Sequence, residues 1–289
     1  MPILDIRNLT KYYGKTKGVV NLSLTLEEGE IFGFIGPNGA GKSTTIRSTL
    51  NLINKTSGEV YFNGKVFDKN DIEIKRLIGY LPSEINLYED LTVKQMLDLH
   101  ERLYNESFTE RRNELVTRLR LDENKKLEDL SLGNSKKLGI VLALMHSPKL
   151  LILDEATSGL DPIIQKEFFD ILKEEKQKGT TIFYSTHILS EISKLCDRVG
   201  IIKNGQLLKV EPVKNLLDKH LVNITITSLE CEKILEDLKV DLISHSDDTI
   251  IFRNTIPVNE LLKKLVNYDI SQIYIEQASL EDIFLHYYD

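Results

Sequence analysis

The run Gly36-Pro37-Asn38-Gly39-Ala40-Gly41-Lys42-Ser43 has the G-x-x-x-x-G-K-[ST] spacing of a phosphate-binding loop. Its glycines let the backbone curl so that successive N–H groups point inward at phosphate oxygens. A helix beginning near Lys42 would add its positive N-terminal end. Lys42 is expected to reach the β- and γ-phosphates, and Ser43 to offer its hydroxyl to Mg²⁺. A second run, Leu150-Leu151-Ile152-Leu153-Asp154-Glu155, ends an apolar strand in two carboxylates. In a parallel sheet that end is the edge where ligands collect. Asp154 is expected to hold Mg²⁺, usually through water, and Glu155 to polarise an attacking water as general base. Strands often end in acidic residues on meeting solvent, so the pair alone says little; joined to the phosphate loop it points to a P-loop NTPase.

These residues need a scaffold, and the hydropathy pattern supplies one. Ile31 to Ile35 reads as a buried strand leading into the loop, and Ser43 to Leu52 as the helix leaving it. Apolar residues from Leu4 to Leu26 recur at strand-like intervals until Glu27-Glu28-Gly29-Glu30 interrupts them. Residues Val93 to Leu121 show helical spacing among many charges, as a helical insertion with one exposed face would. Lys149 to Leu153 and Thr180 to Ser185 read as further buried strands, and a helix is expected from about Lys136 to Met145. Such alternation predicts an α/β fold with a mainly parallel sheet covered by helices. The character changes near Glu211-Pro212. Short segments follow at Val222 to Thr227, Cys231 to Leu238, Thr249 to Phe252, Val258 to Val266 and Ile270 to Glu276, with a last helix through Leu285. They predict a small α+β domain of the split βαβ type over residues 213–289, after an ATP-binding domain over 1–212.

Bulk composition narrows the function. A chain of 289 residues with 41% hydrophobic and 28% charged residues is ordinary globular material. No stretch approaches the roughly 18 to 20 apolar residues that span a bilayer, and Met1 to Asp5 lacks the features of a signal peptide, so a cytoplasmic location is expected. Cys196 and Cys231 stand without CxxC spacing, which argues against thiolate-held metal or a disulfide. A net charge of −7 argues against nucleic acid as partner.

Four more short runs fall in a telling order: Leu9-Thr10-Lys11-Tyr12-Tyr13-Gly14, Leu130-Ser131-Leu132-Gly133-Asn134, Ser158-Gly159-Leu160-Asp161 and Ser185-Thr186-His187. With the phosphate loop and acidic pair, they resemble the nucleotide-binding domains of ABC transporters over nearly the whole chain. The resemblance implies a P-loop NTPase core with an antiparallel β-subdomain and a helical subdomain over about residues 84–147. It implies that Tyr13 stacks on adenine, that Gly36, Pro37, Asn38, Gly39, Ala40, Gly41, Lys42, Ser43 and Thr44 contact ATP, and that His187 meets the γ-phosphate. Ser131, Gly133 and the helix after them would close over the ATP of an opposing subunit, and Asp161 belongs to the D-loop. The implied partners are a second ATPase subunit, identical or related, and a transmembrane permease that holds the chain peripherally at the inner face of the cell membrane. The implied activity is ATP hydrolysis that energises transport.

Two departures bear on that activity. The family's Leu-Ser-Gly-Gly-Gln reads here Leu-Ser-Leu-Gly-Asn, placing the bulk of Leu132 where the partner's γ-phosphate would approach. After Ile78-Gly79-Tyr80-Leu81-Pro82 the family generally carries a Mg²⁺-binding glutamine, where this chain has Ser83, then Glu84. The closing Ala278-Ser279-Leu280-Glu281-Asp282-Ile283-Phe284 resembles that of bacterial ABC-2 type exporter ATPases of the drug, bacteriocin and amphipathic-peptide kind. Leu280, Ile283 and Phe284 also have the spacing of an ordinary amphipathic helix. The expected function is export of a hydrophobic or amphipathic compound (drug, lipid or peptide) through a separate membrane protein. The competing reading is a nucleotide-gated dimerising module with little hydrolysis. A soluble ABC protein of translation or repair is disfavoured by the single cassette and the lack of heptads, and an importer ATPase stays open.

Overall fold

The computed structural model describes residues 2–85, 88, 90–217, 222–238, 240–254 and 258–277. The chain divides into two compact units, residues 1–212 and 213–289. The first begins β1 (Leu4–Tyr13), β2 (Thr16–Leu26), β3 (Ile31–Ile35), α1 (Lys42–Thr49), β4 (Ser57–Phe62), β5 (Lys65–Val66), α2 (Ile72–Arg76) and β6 (Ile78–Leu81). It continues α3 (Val93–Tyr104), α4 (Thr109–Arg118), α5 (Leu132–Leu144), β7 (Leu150–Asp154), α6 (Pro162–Gln177), β8 (Thr181–Thr186), α7 (Leu189–Leu195), β9 (Arg198–Lys203) and β10 (Gln206–Pro212).

Strands β3, β7 and β8 are buried at every residue, as their apolar runs require of a sheet covered on both faces. They form the middle of a six-stranded sheet ordered β10-β9-β3-β8-β7-β6, parallel except for the antiparallel edge pair β10–β9. A second sheet, β2-β1-β4-β5, is antiparallel throughout. One apolar cluster unites them: Leu9, Leu22 and Val60 of the antiparallel sheet join Phe34, Ile152 and Phe183 of the parallel sheet around Ile46 of α1. The phosphate loop therefore leaves the parallel sheet with its following helix clamped by both.

The helical insertion expected as one segment is two helices. Asn105 caps α3 with a left-handed backbone, φ 54°, which turns the chain before α4 starts. Thr92 and Gln95 form a reciprocal capping box that fixes where α3 begins. Helix α5 begins at Leu132, not near Lys136, because Ser131 caps it, accepting from the Asn134 N–H at 3.4 Å. Helix α1 ends at Thr49, short of the Leu52 that periodicity suggests.

The second unit comprises α8 (Val213–Leu217), β11 (Val222–Thr227), α9 (Cys231–Leu238), β12 (Asp241–His245), β13 (Thr249–Asn254), α10 (Val258–Leu265) and β14 (Gln272–Gln277). Its sheet runs β12-β13-β11-β14, antiparallel at every pairing, which is the split βαβ arrangement. Ile224, Ile226, Ile250 and Phe252 pack with Ile234, Leu261 and Leu265 as its core. Strand β12 was not legible in the sequence; it lies at the sheet edge with Leu242 and Ile243 exposed, so no alternation marks it. The expected closing segment, residues 278–284, and the helix through 285 lie outside the described residues.

Candidate nucleotide site

The loop after β3 is shaped by contacts that only glycine tolerates. A Cβ on Gly36 would lie 2.4 Å from the Ile202 carbonyl oxygen, and one on Gly41 2.8 Å from that of Gly18, at φ 106°. Gly205, in the turn between β9 and β10, ties the loop to β2: its N–H donates to the Ala40 carbonyl at 2.8 Å, and its carbonyl accepts from Val20 N–H at 2.8 Å. The Pro37 carbonyl accepts from Ala40 N–H at 3.1 Å. Lys42 is 4% exposed; its Nζ donates to the Gly36 carbonyl at 2.8 Å and the Pro37 carbonyl at 3.2 Å. Incoming phosphate oxygens would compete with those carbonyls for the ammonium.

Above the loop lies a cleft of about 400 Å³. Of the residues singled out in the sequence by spacing or by the family resemblance, Tyr13, Asn38, Gly39, Gly41, Lys42, Ser43, Thr44, Ser83 and Glu155 line it, while Gly36, Pro37 and Ala40 form its backbone support. The Tyr13 ring is half exposed, with Lys11 Nζ 4.9 Å from its centroid and its hydroxyl 3.5 Å from Thr44 Oγ1. Lys17 and Gly18 also line the cleft and were missed. A Cβ on Gly18 would lie 3.0 Å from the Tyr13 ring, so the glycine makes room for that aromatic. A glycine inside a strand-like run was the available signal.

The acidic pair sits at the carboxyl edge of β7. Asp154 is fully buried; Oδ1 accepts from Ser185 Oγ at 3.0 Å, and Oδ2 has no partner among the described residues. A buried carboxylate oxygen without a donor costs free energy unless a cation or its water meets it. With the Ser43 hydroxyl in the neighbouring cleft, this all-oxygen donor set fits Mg²⁺. Glu155 adopts a left-handed backbone, φ 50°, held by its N–H bond to the Ser185 carbonyl at 3.0 Å. Such a conformation costs a non-glycine residue about 1–2 kcal/mol. Its Oε1 lies 3.5 Å from Lys42 Nζ and 3.4 Å from His187 Nδ1, placing Glu155 between the phosphate loop and the histidine. His187 lines a second cleft of about 290 Å³ that shares Glu155 with the first.

Ser131, Gly133 and Asp161 do not line the phosphate-loop cleft of their own chain. Ser131 caps α5; Asp161 caps α6, its Oδ1 accepting from Ile164 and Ile163 N–H at 3.0 Å each, bonds that hold its carboxyl below the usual range. The two helix starts touch: a Cβ on Gly133 would lie 2.6 Å from the Gly159 carbonyl oxygen. Lys136, also missed, is 1% exposed, and its Nζ donates to the Ser83 carbonyl at 2.8 Å and the Pro82 carbonyl at 3.2 Å, pinning the Ser83 loop to α5. Burial pushes its pKa down.

The ABC transporter family profile matches residues 19–158. The chain is 37% identical to the bacitracin transport ATP-binding protein BcrA of Bacillus licheniformis, covering 98% of this chain and 96% of that protein. It is 35% identical to the linearmycin resistance ATP-binding protein LnrL of Bacillus subtilis, covering 96% and 88%. Among solved structures it resembles the dimeric post-hydrolysis state of the ATP-binding cassette MJ0796 bound to ADP and Pi, with a TM-score of 0.66, 25% identity and coverage of 73% of this chain and 98% of that one.

Proposed function

The chain belongs to the ABC transporter family of ATP-binding subunits, and from that premise we propose that it hydrolyses ATP between two ATPase subunits to energise export of a hydrophobic or amphipathic compound through a separate transmembrane protein. The observation that carries the reading is the position of Glu155, its Oε1 3.5 Å from Lys42 Nζ and 3.4 Å from His187 Nδ1. Lys42 and the loop N–H groups bind the β- and γ-phosphates, and the half-exposed Tyr13 ring offers a face to adenine. Glu155 takes the proton of the water that attacks the γ-phosphorus as the bond to the ADP oxygen breaks, while His187 holds the transferred phosphoryl group. Ser43 and the unpartnered Oδ2 of Asp154 would hold Mg²⁺, directly or through water. When bound, such an ion would neutralise phosphate charge.

Ser131, Gly133 and Asp161 lie outside their own chain's cleft, which supports their service to the nucleotide of a second subunit, identical or related. Among the described residues no helix is long and apolar enough to cross a membrane; kinship with ATP-binding subunits of transporters supports a transport path in a separate partner and a place for this chain at the cytoplasmic membrane face. Kinship with proteins of bacitracin transport and linearmycin resistance supports a hydrophobic or amphipathic cargo, a drug, lipid or peptide. The net charge of −7 speaks against nucleic acid as partner. A second reading, ATP-gated dimerisation with little hydrolysis, draws on Leu132, 65% exposed at the start of α5 where a closing partner would meet it.

Steady-state phosphate release from the purified chain, alone and with its copurifying membrane protein, decides between them. Wild type is expected to exceed Glu155→Gln by about 10²- to 10⁴-fold, the usual span of general-base catalysis. Equal rates would sink the motor reading and leave the gated module.

A further inference from the structure

Glu191 is a carboxylate that neither the phosphate loop nor the acidic pair accounts for. It lies in the first turn of α7, 2% exposed, and accepts four hydrogen bonds. Oε1 accepts from Thr157 Oγ1 at 2.6 Å and Gln165 Nε2 at 2.9 Å; Oε2 accepts from Thr186 Oγ1 at 2.6 Å and Tyr184 OH at 2.9 Å. The donors come from three pieces of the site. Thr157 is two residues beyond Glu155, Thr186 immediately precedes His187, and Gln165 stands in the helix that Asp161 caps. The Thr186 hydroxyl also accepts from Ile188 N–H at 3.0 Å, so the group that donates to Glu191 closes the turn around His187.

The bland alternative is a satisfied core carboxylate that merely adds stability. Burying a charge among neutral donors costs desolvation that apolar side chains of similar volume would avoid. The two 2.6 Å bonds are the shortest of the four, and they end on Thr157 and Thr186, two residues from Glu155 and one from His187.

We propose that Glu191 is a positioning residue that keeps the Glu155 loop and His187 in mutual register, so that base and phosphate-binding histidine address one γ-phosphate. The inference rests on the reading of Glu155 and His187 given above. Glu191 touches no reacting atom in this scheme. It acts through Thr157 on one side and Thr186 on the other.

The test is Glu191→Gln in the full-length chain, with its membrane partner where that copurifies. The amide nitrogen cannot accept, so the donors on one oxygen lose their acceptor while volume is kept. Because a misplacement near 1 Å can cost about a hundredfold, kcat is expected to fall about 10- to 100-fold while KM and the affinity for a fluorescent ATP analogue stay within about twofold. Glu191→Asp should recover part of kcat, and His187→Ala added to Glu191→Gln should cost far less than it costs alone. If Glu191→Gln does not fold, Thr186→Val, which deletes one donor beside His187, carries the same expectation. An unchanged kcat, a parallel loss of nucleotide affinity, or losses that multiply with His187→Ala would overturn the proposal. Should Glu155→Gln and His187→Ala both leave turnover intact, the underlying reading fails; should both abolish it while Glu191→Gln does not, only the positioning role fails.

Discussion

Leu132 lies across Gly159, and the contact shows how one departure from the family pattern is accommodated. Gly159 has φ 82°, and a Cβ there would come within 3.0 Å of Leu132 Cδ2 and Cγ. Gly159→Ala should therefore lower the free energy of unfolding by about 1–2 kcal/mol for the left-handed backbone alone, with a steric contribution on top. Adding Leu132→Gly should restore only the steric part, so the pair should be non-additive in urea unfolding; strict additivity would show that the two residues do not bear on each other. Legible in the sequence were the phosphate loop and acidic pair, by their spacing, and Tyr13, by the family resemblance; the structure brings Tyr13, Lys42 and Glu155 to one cleft. Gly18, Gly205, Lys136 and Glu191 were not legible, because each acts on a partner far away in sequence. Nothing local distinguishes a lysine that will pin the Ser83 loop from one that will face solvent.

Helix α3 packs on the end of α5 through aromatic rings, with His100 and Tyr104 centroids 4.9 Å apart and Tyr104 and His146 4.7 Å apart. Burial, and then the neighbouring His146, lowers the His100 pKa to about 4. A histidine whose folded pKa lies below its unfolded value favours folding above about pH 6.5 and loses that contribution as pH falls toward 4, since the unfolded chain then binds the extra proton. Stability should drop across that window, by on the order of 2–3 kcal/mol from this residue. His100→Leu should flatten that portion of the curve in thermal unfolding at stepped pH, and an unchanged slope would refute the assignment. Charge joins α4 to α6 as well: Arg118 Nε lies 2.6 Å from Glu167 and Nη1 2.5 Å from Glu174, bonds that raise the Arg118 pKa. These carboxylates are a third or more exposed, so Arg118→Ala should cost no more than about 1 kcal/mol. The difference should shrink in 1 M salt as screening removes it; a salt-independent loss would point to packing of the arginine stem instead. At this scale the buried strands were legible from apolar runs. The break at Asn105, the early start of α5 and the exposed edge strand β12 depend on capping and edge position, which hydropathy does not carry.

Lys42 and Glu155 line the cleft, whereas Ser131 and Gly133 start a helix that packs on Gly159 of the same chain and lie outside the cleft. If Ser131 and Gly133 serve the opposing nucleotide, each complete site draws its phosphate loop from one subunit and its α5 start from the other. Two inactive variants should then rescue each other. Lys42→Ala would remove the ammonium proposed to meet the phosphates; Ser131→Arg would fill the face proposed to close. In a heterodimer, the site combining Lys42 of the second variant with Ser131 of the first is intact, and the other site carries both defects. Random pairing of equal amounts makes half the dimers mixed, so turnover should return to about one quarter of wild type if the sites act independently. On that reading activity per chain should also rise with protein concentration, since isolated chains would hold no complete site. Mixing that yields no more activity than either variant alone would mean that the sites cannot fire singly or that Ser131 serves its own chain. ATP-dependent dimerisation of Glu155→Gln, followed by analytical ultracentrifugation, separates those outcomes: dimers that form without turnover, but not when Ser131→Arg is added, leave obligate coupling of two shared sites as the reason for silence.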